Sequence, residues 1–162
     1  MKLTPPGMSL SLGVIDGRNV WRADLQRALA ILEKAAGRLG PDRIMVAPSC
    51  SLLHCPIDLD HESSEDAELK GWMAFGKQKL HEVSILTRAL GEGRAAVAEE
   101  LAASRAAVES RARSPRIHSA AVQKRLASVE PSMFRRKSPF SQRQAAQRKR
   151  LALPALPTTT IG

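Results

Sequence analysis

Two short apolar runs, each breaking into turn residues and separated by one stretch of helical period, set the pattern of this chain. The first is Leu10-Ser11-Leu12-Gly13-Val14-Ile15-Asp16-Gly17-Arg18-Asn19; the second is Ile44-Met45-Val46-Ala47-Pro48-Ser49-Cys50-Ser51-Leu52-Leu53-His54. They predict strands over about Ser9 to Ile15 and Ile44 to Ala47. Aliphatic runs that give way to Gly, Pro, Asp and Ser before a helix suit a parallel sheet with polar loops at the strands' carboxyl ends. Between them Leu25, Leu29, Leu32, Ala36 and Leu39 recur at helical spacing. Asn19 is the expected N-cap, with Arg22 standing where a capping box needs Glu or Gln, and Gly40-Pro41 is the expected stop. After the second strand, Ser63 or Ser64 is the expected cap of a helix whose first turn holds Glu65, Asp66 and Glu68. One continuous stripe of Leu69, Trp72, Met73, Leu80, Val83, Leu86 and Leu90 predicts its buried face. The order is β-α-β-α, a right-handed crossover pair of a parallel sheet.

Past Gly91 the character changes. Arg94 to Ala112 is an alanine-rich helical pattern with Val97, Leu101 and Val108 on one side, ended by Ser114-Pro115. A short helix over about Ser119 to Ser128 follows, then another opened by Ser138-Pro139 at its cap and first position. The run Pro157-Thr158-Thr159-Thr160-Ile161-Gly162 reads as the opening of a further strand. Two strands and such a stub are too few for a barrel, so the pattern is that of a piece of a larger α/β enzyme.

Charge sharpens this division. The net charge of +9 is carried by the C-terminal third, where residues 111–162 hold twelve basic side chains and one acidic. Read alone, Arg135-Arg136-Lys137 and Arg143 through Arg148-Lys149-Arg150 suggest RNA or an acidic partner. Only Phe134 and Phe140 interleave with them as stacking aromatics, so a solvated helical connector is preferred. No run approaches the ~20 apolar residues of a membrane span, and Met1 to Pro6 lacks a secretory core. A cytoplasmic protein with reduced thiols at Cys50 and Cys55 is expected.

Candidate chemistry concentrates where the strands end. Cys50, His54, Cys55 and His61 share a loop, but their spacing differs from that of structural zinc sites, and unligated thiols are expected. Asp16 and Arg18 read as an internal pair that fixes the Asp-Gly turn, with Asn19 and Ser49 on the same rim. None of these is assigned a catalytic role.

Several blocks of the sequence resemble the cobalamin-independent methionine synthase family: Leu12 to Trp21, Ala47 to His54, the helix from Asp66 to Lys79, Arg113-Ser114-Pro115-Arg116-Ile117-His118, Arg136 to Phe140, and Leu156 to Gly162. The resemblance runs from about Met8 to the end of the chain, with Cys55 standing where an aliphatic residue is expected before Pro56. It implies a partial (β/α)8 barrel followed by a mostly helical connector and the first strand of a second barrel. Residues 1–91 would be the last two βα units of an N-terminal barrel, 92–156 the connector, and 157–162 the start of a catalytic barrel. The family moves a methyl group from 5-methyltetrahydropteroyl-polyglutamate to homocysteine without cobalamin, activating the homocysteine thiol on zinc. The resemblance places the zinc ligands in the catalytic barrel beyond Gly162 and the folate contacts before Met1, makes the missing N- and C-terminal parts of the enzyme this chain's partners, and leaves the isolated chain inactive. One functional element carries over: Ile161 and Gly162 match the start of an Ile-Gly-Ser run whose backbone meets homocysteine. A small basic binding module for RNA or an acidic partner, or a degraded gene fragment, are the alternatives.

Overall fold

A computed structural model describes residues 4–63 and 66–158. The chain divides into two compact units, Met1–Ile117 and His118–Gly162. Ile161 and Gly162, the expected substrate contacts, lie outside the described residues, as do Ser64 and Glu65.

The first unit is mixed α/β. Strands β1 (Leu10–Ile15) and β2 (Ile44–Pro48) pair in parallel, with helix α1 (Leu25–Leu39) between them in sequence. Leu10 faces Ile44, Ser11 faces Met45, Leu12 faces Val46 and Gly13 faces Ala47, before an irregularity brings Ile15 opposite Pro48. Leu12, Val14, Ile44 and Val46 pack toward a core built from Ile15, four residues of α1, Ile85, Leu86, Ala89, Val97 and Leu101. Ser11, Gly13 and Met45 are exposed on the other face. The described sheet has two strands, so each strand keeps one edge without a sheet neighbour. Strand positions agree with the sequence pattern because alternation marks them directly.

Helix α1 begins later than expected. Its N-cap is Asp24, whose carboxylate accepts the Arg27 N–H at 3.0 Å, not Asn19. Asn19 belongs instead to the preceding turn, and the chain from Val20 to Arg22 lies along Trp72–Ala74. There the Arg22 N–H donates to Trp72 O, and the Ala74 N–H to Val20 O, both at 2.8 Å. Leu25, Ala28, Leu29, Leu32 and Ala35 form the buried stripe, so Ala35 takes the place expected for Ala36, and Leu39 is half-buried. Gly40 ends the helix at φ 87°, a backbone conformation that costs glycine little.

The single helix expected after the second strand is two: α2 (Ala67–Trp72), capped by Asp66 rather than a serine, and α3 (Gly76–Glu92). Trp72, Ala74 and Phe75 are all buried, a spacing that no one helix face supplies and that the extended break permits. Lys79, Glu82, Leu86 and Ala89 turn inward, while Leu80, expected in the core, is 59% exposed. Helix α4 (Ala98–Arg113) follows a 3-10 turn at Arg94–Val97 and adds Val97 and Leu101 to the core, so the compact unit extends past Gly91.

The second unit holds α5 (Ala120–Ala127), a 3-10 turn at Pro131–Phe134, and α6 (Phe140–Leu151). Ser119 caps α5, and Pro139 precedes α6 at the cap position, one residue later than expected. None of its described residues is buried. Among the described residues of the whole chain, no helix is long and apolar enough to cross a membrane.

The loop from β1 to α1 is fixed by polar side chains of the helices packed over it. Lys79 is fully buried, and its Nζ donates to Trp21 O at 3.1 Å and Asn19 Oδ1 at 3.4 Å. Glu82 Oε1 accepts the Ala23 N–H at 2.9 Å, whereas its Oε2 is buried without a partner. From α4, Ser104 Oγ accepts the Leu25 N–H at 3.1 Å and donates to Ala23 O at 2.8 Å. Desolvation raises the Glu82 carboxyl above its ordinary range, against the pull of the Ala23 N–H, Lys79 and Arg22.

Two expectations follow. Lys79→Ala strips the donor from two half-buried acceptors and removes the cation beside Glu82, so it should cost about 3 kcal/mol in urea unfolding. Lys79→Met keeps the stem and should lose less; equal midpoints for both variants and the parent would rule out the clamp. The second concerns pH. A raised folded pKa means the native state holds that proton more tightly, so Glu82 favours folding below the unfolded value of about 4.3 and loses that advantage as pH rises. Glu82→Gln keeps an acceptor for the Ala23 N–H, and should flatten the fall in stability from about pH 4 to 7, gaining about 1 kcal/mol at neutrality. An unchanged pH slope would contradict the assignment.

Candidate functional site

A cleft of about 460 Å³ opens at the carboxyl ends of the two strands. The turn after β1 contributes Gly17, Arg18 and Asn19, and the loop after β2 contributes Cys50, His54 and Cys55. Parallel strands turn their loops to the same end, which is where α/β folds place ligands. Of the expected residues, Arg18, Asn19, Cys50, His54 and Cys55 line the cleft, whereas Asp16, Ser49 and His61 do not.

Asp16 builds the first wall. One carboxylate oxygen accepts the Arg18 N–H at 2.8 Å and the other accepts Asn19 Nδ2 at 2.8 Å. The expected Asp16–Arg18 pair therefore exists through the main chain, and the Arg18 side chain lines the cleft. Asn19 Oδ1 in turn accepts the Trp21 N–H at 3.0 Å. The two walls are fastened to each other by Ser49, whose N–H donates to Ile15 O at 2.7 Å and whose Oγ accepts the Gly17 N–H at 3.1 Å. Only glycine fits at Gly17, where a Cβ would stand 2.8 Å from Cys50 O and 3.0 Å from its Sγ.

The second wall is anchored farther along. Asp58 accepts Lys77 Nζ at 2.7 Å, Gln78 Nε2 at 2.8 Å and the Asp60 N–H at 3.1 Å, and these donors hold its carboxyl far below the usual range. Lys77, shared with Asp60, is correspondingly raised. The Gly76 and Lys77 N–H groups donate to Pro56 O and Ile57 O, which pins the loop to the start of α3. Gln78 Oε1 reaches back to Phe75 N–H, half of a capping box.

Cys50 and Cys55 are free thiols; Cys55 is buried, with its Sγ 4.0 Å from Asn19 O. His61 is 86% exposed, and its Nε2 lies 3.9 Å from Asp58. Among the described residues no group of three or more His, Cys, Asp or Glu is placed to hold a metal ion. The loop cluster therefore does not fit zinc, and no chemistry is routed through a metal here. The cleft can donate hydrogen bonds and accommodate a polar group at Arg18 and His54; its lining includes no Asp or Glu. Lys79, Glu82 and Ser104, which support it from beneath, are the residues that sequence reasoning missed. The signal available was two charged residues, at i and i+3, within an otherwise apolar stripe.

Comparison with known proteins finds sequence relatives over nearly the whole chain. Residues 2–40 match the family described as cobalamin-independent synthase, N-terminal domain. A 5-methyltetrahydropteroyltriglutamate–homocysteine methyltransferase of Acidithiobacillus ferrooxidans is 61% identical over 158 residues, which is 98% of this chain and 20% of the relative. Its namesake in Caulobacter vibrioides is 59% identical over 153 residues, 94% of this chain and 20% of the relative. That of Parvibaculum lavamentivorans is 49% identical over 158 residues, 98% and 21%. The chain spans about one-fifth of the length of these curated relatives. Over that stretch its sequence is similar to members of the cobalamin-independent methionine synthase family.

Proposed function

We propose that this chain serves as a structural part of a methyltransferase that makes methionine by moving a methyl group from 5-methyltetrahydropteroyl-polyglutamate to homocysteine. The observation that carries the reading is 61% identity across 98% of the chain to a relative bearing that name. Two parallel strands with a free edge each, and loops gathered at one end, are what the last βα units of a (β/α)8 barrel would contribute. Residues 92–156 would then connect that barrel to a catalytic one beginning at 157–162. Contact with homocysteine is assigned to Ile161 and Gly162 on the resemblance alone. Zinc would activate the homocysteine thiol as a thiolate, held by residues beyond this stretch. No cobalamin enters, and a cytoplasmic setting suits reduced thiols.

A second reading has one observation behind it. Between residues 118 and 158 stand nine basic side chains and one acidic, with no residue buried. A basic helical module of this kind would bind RNA or an acidic partner, and would elute from heparin with a steep salt dependence.

The chain alone should form no methionine from homocysteine and the methylated folate. Inserted in place of the matching 158-residue stretch of the Acidithiobacillus ferrooxidans relative, it should preserve methionine formation. Turnover by the isolated chain, or a folded but inactive chimera, would defeat the proposal.

A further inference from the structure

A second cleft, of about 310 Å³, lies on the first unit between α2 and α4, away from the strand ends. We propose that it binds a small carboxylate with a flat apolar body. Its walls are Trp72, Val108 and Ile117, and two guanidinium groups, Arg22 and Arg111, border it.

The Arg111 guanidinium sits 3.8 Å from the centroid of the Trp21 ring. A cation over a ring spends no N–H donor on a hydrogen-bond acceptor, and a guanidinium with donors to spare can grip a carboxylate with two parallel bonds. Among the described residues neither Arg111 nor Arg22 forms an ion pair, whereas Arg88, Arg94, Arg105, Arg113 and Arg116 each face a carboxylate. The acid that lines the cleft, Asp24, is engaged as the cap of α1, accepting the Arg27 N–H. The Trp72 Nε1–H donates to Ser110 Oγ at 3.2 Å, so the indole's own donor is already satisfied and it meets a ligand as apolar surface. Two arginines against the single carboxylate of Asp24 leave the lining with a net positive charge beside an apolar recess, which complements one negative charge on a hydrophobic body. Mere hydrophobic contact would not distinguish that ligand from its neutral analogue.

Of the chain's two tryptophans, Trp72 lines this cleft and Trp21 packs against its Arg111, so their fluorescence reports on it. Sodium benzoate, titrated into the 162-residue chain at constant ionic strength, should change tryptophan fluorescence saturably in about the millimolar range. Benzamide should bind at least about tenfold more weakly, since it lacks the charge that the guanidiniums answer. Arg111→Gln should weaken benzoate by a similar factor. Arg22→Gln, at an exposed position, and Val108→Phe, which fills the recess, serve as second and third variants, with near-ultraviolet circular dichroism confirming that each keeps its fold. Equal affinity for benzoate and benzamide, no saturable change in the folded chain, or parental affinity in the folded variants would overturn the proposal. None of these readouts depends on methyl transfer, so the two proposals fail separately.

Discussion

The first unit depends on a polar clamp inside an otherwise apolar core. Main-chain groups at Trp21, Ala23 and Leu25 lie beneath α3 and α4, before or at the first residue of α1, where no helical bond satisfies them. A buried main-chain group without a partner costs about as much as a lost hydrogen bond. Lys79, Glu82 and Ser104 supply those partners, and the long stem of Lys79 packs as a hydrophobic residue would. The arrangement is demanding, since one carboxylate oxygen stays unpartnered in the interior.

That clamp sets the site. Asn19 links it to the cleft, because the same side chain accepts Lys79 Nζ, orders the Trp21 N–H and donates to Asp16. Ser49 and Gly17 then draw the loop after β2 against the loop after β1, closely enough to exclude any side chain at Gly17. Asp58 fixes the far end of the second loop to α3. Helices on one side of the sheet thus hold the loops at its end, so packing in the core is transmitted to the rim.

The two units have opposite economies. The first has sixteen basic and fifteen acidic side chains among residues 1–117, several of them joined in surface pairs such as Arg94–Glu33 and Arg116–Asp66. Such exposed pairs contribute little each. The second has no acidic residue but Glu130 and buries none of its described residues. Its helices rest on local signals: Ser119 as a cap, Pro139 at the start of α6, and α6 residues of high helix propensity.

Local signals explain what could be read from the chain itself. Strand positions, the Gly40 stop, the Asp16 turn and the helices after Gly91 each follow from a few neighbouring residues with their own backbone preferences. The rim residues could be grouped because parallel strands send their loops to one end. What remained hidden arises from distant parts of the chain. Asp24 caps α1 because residues 20–22 are drawn against 72–74, and the extended break that splits α2 from α3 comes from the same contact. Beyond that break α3 packs with Lys79 inward and Leu80 outward. The amino-acid order determined which elements form and where they turn, since those choices are made within a few residues. Only the tertiary structure decided which face of α3 is buried and which polar groups meet there, because a helix cannot set its own phase against a surface that another fifty residues supply.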